Sequence, residues 1–164
     1  MIILLKNKQS LQVDEFKFKC SIGKNGSTSN KLEGDGKTPR GVYSIDNLYY
    51  RADRFIKPFT RLKTIKIKKF HGWCDDLKSK TKYNKLIKTN DKFKHEKLYR
   101  RDNKYDLLIP IKYNFKKPKI GKGSCIFLHL TKNYKPTAGC IALKKKDFMI
   151  LLKIIKPNTK IKIN

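Results

Sequence analysis

One cysteine and one histidine lie eleven positions apart, on two chain segments that the sequence sets side by side. The stretch Ser124 to Leu143 reads S-C-I-F-L-H-L-T-K-N-Y-K-P-T-A-G-C-I-A-L. Ile126 to Leu130 is apolar except for His129 and reads as a buried strand. Asn133 to Pro136 carries turn chemistry, and a second apolar run opens on Gly139-Cys140. Small residues before Cys140 let a substrate come close to the backbone. This is what thiol-based acyl transfer needs. A thiolate attacks, an imidazole takes and returns the proton, and the N–H groups of Gly139 and Cys140 hold the oxyanion. The alternative is a core cysteine and a core histidine with no chemical role.

Two polar clusters add candidates. His71-Gly-Trp-Cys-Asp-Asp gathers the only tryptophan with a histidine, a cysteine and two carboxylates, in a segment without apolar periodicity. It reads equally as the edge of a site or as a loop pinned by Trp73. His95-Glu96 through Arg100-Arg101-Asp102 forms the second cluster. A zinc site from His71, Cys74, Cys125 and His129 is disfavoured: neither pair is a C-x2-C knuckle, and the strand carrying the second pair is apolar. No G-x-S-x-G marks a serine hydrolase. Glu33-Gly-Asp-Gly-Lys-Thr-Pro-Arg-Gly makes a tight loop feeding a strand at Val42 to Leu48. It lacks P-loop spacing and a following helix, so it is a turn or one wall of a site.

The elements around these residues are mostly strands. Met1 to Lys6 and Leu11 to Ile22 read as strands; the second alternates, with a phase slip near Asp14, and Cys20 falls on its apolar face. Arg61 to Lys69 reads as a half-exposed strand and Ser79 to Lys94 as irregular, with at most a short helix. Tyr105 to Tyr113 reads as a strand that Pro110 sends to an edge or a bend. Phe148, Leu151, Leu152 and Ile155 recur at helical spacing within Lys144 to Lys156, and Thr159 to Ile163 alternates as a last strand. The fold class is mainly β, a β-sandwich or open barrel, with one clear helix near the C-terminus.

At 164 residues the chain is one domain, residues 1–164, with a net charge of +28. Only six of its 41 basic residues are arginine, and the lysines are spread evenly rather than in a block. The field favours anionic partners: nucleic acid, anionic membrane or an acidic cell-wall polymer. No zinc-finger or RNA-recognition signature supports a specific nucleic-acid role, which leaves a non-catalytic basic binding protein as the alternative function. No stretch is long and apolar enough to span a membrane, and no export signal is visible. Four scattered cysteines do not make a disulfide scaffold.

Glu33 to Ile45 and Phe127 to Leu143, ending T-A-G-C-I-A-L, resemble the YkuD-type L,D-transpeptidase catalytic domain. Trp73-Cys-Asp-Asp, Tyr83-Asn84, His95-Glu96, Leu98 to Asp102 and Tyr105-Asp106-Leu107 resemble one proteobacterial branch of it, so the resemblance covers nearly the whole chain. It implies a mainly β domain with the cysteine at a strand start. It also implies transfer of peptidoglycan stem peptides through a cysteine thioester, without metal or cofactor. Cys140 matches the nucleophile, His129 the general base, Gly139 the preceding glycine and Thr137 the Ser/Thr of the motif. A backbone carbonyl is the expected orienter of His129, with Asp75 and Asp76 as rivals. The chain departs from the pattern at Ala138, where a histidine is usual, at Ala142, where an Arg or Asn usually helps hold substrate, and in the shorter His129–Cys140 interval. Arg100, Arg101 or nearby lysines are the expected substitutes at the stem carboxylate, with Trp73, Asp75, His71 and His95 lining the cleft. The expected partners are stem peptides and an anionic cell-wall polymer, and the expected form is a monomer in the periplasm.

Overall fold

The first strands show how the chain turns. β1 (Ile2–Asn7), β2 (Ser10–Val13) and β3 (Phe16–Ser21) form an antiparallel meander. The expected single strand from Leu11 is thus two. Asp14 adopts φ +48, a left-handed conformation that Asp tolerates, and Val13 pairs with Phe16 across the two-residue turn. A computed structural model of the chain describes residues 1–164.

β4 (Ser27–Thr28) and β5 (Thr38–Pro39) bracket the glycine-rich loop. They are followed by β6 (Gly41–Ser44), β7 (Leu48–Tyr50), β8 (Thr64–Lys66), β9 (His71–Cys74), β10 (Leu86–Lys88), β11 (His95–Lys97), β12 (Leu107–Pro110), β13 (Phe127–Leu130) and β14 (Ile141–Leu143). The helix α1 (Lys145–Ile154) and β15 (Lys160–Ile163) complete the chain. Ten strands share one sheet in the order β6-β15-β1-β2-β3-β14-β13-β12-β7-β8.

That order forces curvature. β6 and β7 are eight strand steps apart, roughly 38 Å in a flat sheet. Only three residues join them, a reach of roughly 15 Å. The sheet therefore curls into a half-barrel, and Ile45 bridges to Ile111 across the gap. The expected run Val42 to Leu48 is accordingly broken between two distant strands.

Inward residues of the curl, among them Ile3, Leu5, Leu128, Leu130, Ile141 and Leu143, pack with Phe148, Leu151, Leu152 and Ile155 of the helical segment. Alternate residues face outward: Leu108, Phe127 and Cys140 join a second apolar cluster with Trp73, Leu98 and Tyr105. A small sheet, β10-β9-β11, supplies Trp73 to this cluster. β12 to β14 are thus covered on both faces, which is why their sequences run apolar without a polar alternate.

Three expectations need correcting. His71 to Cys74 is not a loop but the central strand of the small sheet; Gly72 hides it, because the His95 ring lies where a Cβ would sit, 2.7 Å away. Ser79 to Lys94 holds a strand, β10, rather than a helix. Pro110 is buried inside the large sheet, not on an edge. Its C=O accepts the Asp46 N–H, so its missing N–H faces the side where β7 has already ended.

Candidate active site

β13 and β14 run parallel with His129 opposite Ala142 and Leu128 opposite Ile141. Cys140, one residue before β14, therefore stands beside Phe127, and both share a sheet face with His129. From one strand to the next and two residues along, the Cα atoms of Cys140 and His129 are roughly 8 Å apart. The ten-residue connection 131–140 carries the chain across this face. It is short for a parallel crossover and contains no helix.

Gly139 allows the approach. Its φ is +146, and a Cβ there would meet the Lys37 carbonyl oxygen at 2.9 Å. Thr137 pins the turn: its hydroxyl donates to the Cys140 carbonyl at 2.6 Å and accepts the Gly139 N–H at 3.1 Å. The Gly139 N–H is thus engaged, which removes one of the two expected oxyanion donors. The Cys140 N–H donates to no protein group.

The Cys140 thiol is buried, 7% exposed. It donates to the Cys125 carbonyl at 3.1 Å and accepts the Phe127 N–H at 3.4 Å. Burial, and then the Glu96 carboxylate, push it up to about 12. Burial also raises Cys20, Cys74 and Cys125. Thiol acidity therefore singles out none of the four, and it is position that distinguishes Cys140.

His129 is 4% exposed. Its Nδ1 lies 2.9 Å from the Leu130 carbonyl. That carbonyl can only accept, so Nδ1 is assigned the proton and Nε2 the free lone pair. Burial holds the imidazole down to about 4; the bond to Leu130 pulls it upward, and the charges of Lys104 and Arg100 add to the lowering. Both rival orienters lie elsewhere: Asp75 pairs with Lys94 at 3.4 Å, and Asp76 accepts the N–H groups of Lys78 and Lys94.

His129, Ala142 and Thr137 line a cleft of about 980 Å³ whose other walls carry Arg54, Arg101, Lys104, Lys132, Lys135 and Lys145. Arg54 is bridged to Asp106 at 2.8 Å. Arg101 is exposed and makes no ion pair. Arg100 is turned away, bridged to Asp102 at 2.7 Å and stacked over the Tyr105 ring. Cys140 is not on the cleft wall but next to it, beneath the small sheet.

The remaining candidates do not line the cleft. Trp73 is 2% exposed, donates to the Asn84 side chain at 2.9 Å and meets Phe127 edge-on at 5.3 Å. It caps the cluster holding Cys140 rather than offering a surface. His71 accepts the Lys68 N–H and abuts Phe70. His95 bonds to the Phe93 carbonyl and packs on Gly72. No three His, Cys, Asp or Glu side chains gather to hold a metal, so the four-ligand constellation is not assembled.

Two residues beside the pair escaped the sequence reading as site members. The Tyr105 hydroxyl donates to Glu96 at 2.6 Å, and its ring meets both Phe127 and His129 edge-on at 5.7 and 5.3 Å. They are nine residues apart, and only the closing of the small sheet onto β13 joins them.

The L,D-transpeptidase catalytic domain model, YkuD, matches residues 2–163. The chain belongs to the YkuD family. The helical cell shape determining protein Pgp2 from Campylobacter jejuni has a similar structure, with TM-score 0.52 and 16% identity over 99% of this chain and 46% of that one. Bd1075 from Bdellovibrio bacteriovorus aligns at TM-score 0.49 and 17% identity, over 99% and 47%. This chain spans about half the length of those two, and at 16% identity the likeness to Pgp2 is one of fold. No curated protein matches the sequence.

The buried His129 of this YkuD domain gives folding stability a pH signature. Its ring titrates near 6.5 when unfolded and about 4 when folded. Between these values the unfolded chain takes up a proton that the folded one refuses, so stability is complete above 6.5 and falls toward 4. The full loss is about 3 kcal/mol. Urea unfolding of wild type and His129→Gln at pH 7 and pH 4.5 measures it: the variant should lose less stability on acidification. Equal losses would mean that His129 is not held neutral by burial.

Proposed function

We propose that this chain is an L,D-transpeptidase that carries a peptidoglycan stem peptide on Cys140 and passes it to an amine of a second stem or to water. The observation that carries the reading is the shared sheet face of Cys140 and His129, with the His129 Nδ1–H bound to Leu130 and Nε2 left free.

In this mechanism the thiol leaves the Cys125 carbonyl and its S–H bond breaks, the proton passing from the sulfur to His129 Nε2 as the sulfur–carbon bond forms. With the thiol near 12 and the imidazole near 4, a resting thiolate–imidazolium pair is unfavourable, so proton transfer accompanies attack. The carbonyl oxygen gains the charge and takes a hydrogen bond from the Cys140 N–H. Collapse breaks the carbon–nitrogen bond, and His129 gives its proton to the leaving amine. The amine of a second stem then attacks the thioester, losing its proton to His129, and the thiol is released. Water in its place gives trimming.

The basic walls of the cleft favour a stem bearing free carboxylates. Arg101, unpaired and on the wall, is the group for one of them, filling the part that Ala142 cannot play; Arg100 is committed to Asp102. The positive surface fits an anionic sacculus and so supports a reaction in the cell envelope.

Incubation with purified muropeptides, read by mass spectrometry, should give new dimers or shortened stems. Cys140→Ala should abolish them, and His129→Ala should lower kcat roughly 10²–10⁴-fold. Unchanged muropeptides together with nucleic-acid binding that survives about 0.5 M salt would favour the basic binding protein instead. In the same assay Arg101→Ala should raise KM several-fold with the melting temperature kept, whereas Arg100→Ala should lower the melting temperature. Wild-type kinetics for Arg101→Ala would remove that residue from the site.

A further inference from the structure

Lys31 is a buried cation that the mechanism above does not use. It is 4% exposed, in a chain whose other lysines are mostly at the surface. Its ammonium donates to the Leu32 carbonyl at 2.7 Å and to Asp35 at 2.6 Å. Asp35 also accepts the N–H groups of Leu32 and Lys37 at 2.9 and 2.8 Å. Burial would raise this carboxyl, but those N–H groups and the Lys31 ammonium outweigh it and hold it low. The Asp35 carboxylate is therefore charged and faces the ammonium directly.

The path of the lysine stem is specific. A Cβ on Gly123 would meet the Lys31 Cγ at 2.8 Å and its Cε at 3.3 Å. A Cβ on Gly139 would meet the same Cε at 3.7 Å. The stem thus runs between the glycine that opens the turn to Cys125 and the glycine that precedes Cys140. Both lie beside the nucleophile, since the Cys140 thiol donates to the Cys125 carbonyl. The ammonium is one bond beyond Cε, within roughly 5 Å of the Gly139 Cβ position.

An apolar stem would fill this slot without the expense of desolvating an ion pair; such replacements of buried pairs are often neutral or stabilising. A charge placed here fits a need for one. Acylation puts negative charge on the sulfur and then on the oxygen held by the Cys140 N–H, and a fixed cation beside that peptide favours both. Glu96 acts on the thiol with the opposite sign, while Lys104 acts with Lys31.

We propose that the Lys31–Asp35 pair is a positioning device for the nucleophile: the stem seats the Gly139–Cys140 peptide, and the ammonium biases that peptide toward negative charge on the attacking sulfur and the attacked oxygen. The role in acyl transfer rests on the transpeptidase reading; the bias on the thiol does not. The glycine-rich loop from Glu33 to Gly41 then acts as the support behind the nucleophile, with Asp35 fixing the lysine and the Lys37 carbonyl closing on Gly139.

The test uses iodoacetamide, whose reaction reports the thiolate and needs no substrate. Cys140 labelling is followed by peptide mass spectrometry from pH 7 to 9 in the intact chain. Lys31→Met with Asp35→Asn keeps a stem of similar length and leaves no orphan charge. It should fold and label Cys140 about threefold more slowly, the size expected of a cation roughly 7 Å away whose paired carboxylate lies 2.6 Å beyond it, at an effective dielectric constant near 20. Asp35→Asn alone unshields the cation and should speed labelling; this single variant decides the matter if the double variant does not fold. Equal labelling in wild type and double variant, or no acceleration in Asp35→Asn, overturns the proposal. On muropeptides the double variant should lose kcat with KM kept. Wild type inert toward muropeptides would sink the transpeptidase reading while leaving the labelling result to judge Lys31.

Discussion

The parallel register of β13 and β14 is the constraint on which the site depends. With Leu128 opposite Ile141 and His129 opposite Ala142, the thiol and the imidazole share one face. A slip of β14 by one residue would send Cys140 into the core of the curl and bring Ile141 outward. The register is held because both faces are buried. Leu128, Leu130, Ile141 and Leu143 are committed to the interior with α1, while Phe127 and Cys140 are committed to the cluster under Trp73. The same burial that secures the geometry makes the chemistry harder, since it raises the thiol and lowers the imidazole. The compensating groups are the free Cys140 N–H and the cations near it.

The charge of the chain divides accordingly. Most of its 41 basic residues are surface lysines that give a field rather than contacts. A few are placed. Arg101, Lys104, Lys132 and Lys135 line the cleft beside His129, and Lys31 is sealed behind Gly139. A cleft walled by cations on one side of a buried neutral pair suits a carboxylate-bearing peptide approaching a thiol that must become charged only in the transition state.

Much of this was legible in the sequence, for identifiable reasons. The helix announced itself by Phe148, Leu151, Leu152 and Ile155 at helical spacing, and the central strand by an apolar run interrupted by a single histidine. The small residues at Ala138 and Gly139 marked the approach to Cys140. Other features were hidden. Asp14 looked like a slip in one strand because a left-handed Asp makes a turn without glycine. His71 to Cys74 looked like a loop because Gly72 yields its space to a ring from a neighbouring strand. Pro110 looked like an edge because nothing local says that β7 ends before it. Thr137's capture of the Gly139 N–H and the meeting of Glu96, Tyr105 and His129 are tertiary events with no periodic trace. The glycine-rich loop was legible as a turn, but that it packs Lys31 against the nucleophile peptide was not.

The central claim is that Cys140, among four free cysteines, is the nucleophile. A carbapenem, a strained acyl donor that an activated thiol can open, tests it most directly through the intact mass of the chain. The account predicts one adduct per chain, kept in Cys74→Ala and lost in Cys140→Ala. An adduct that persists in Cys140→Ala and disappears in Cys74→Ala would contradict it.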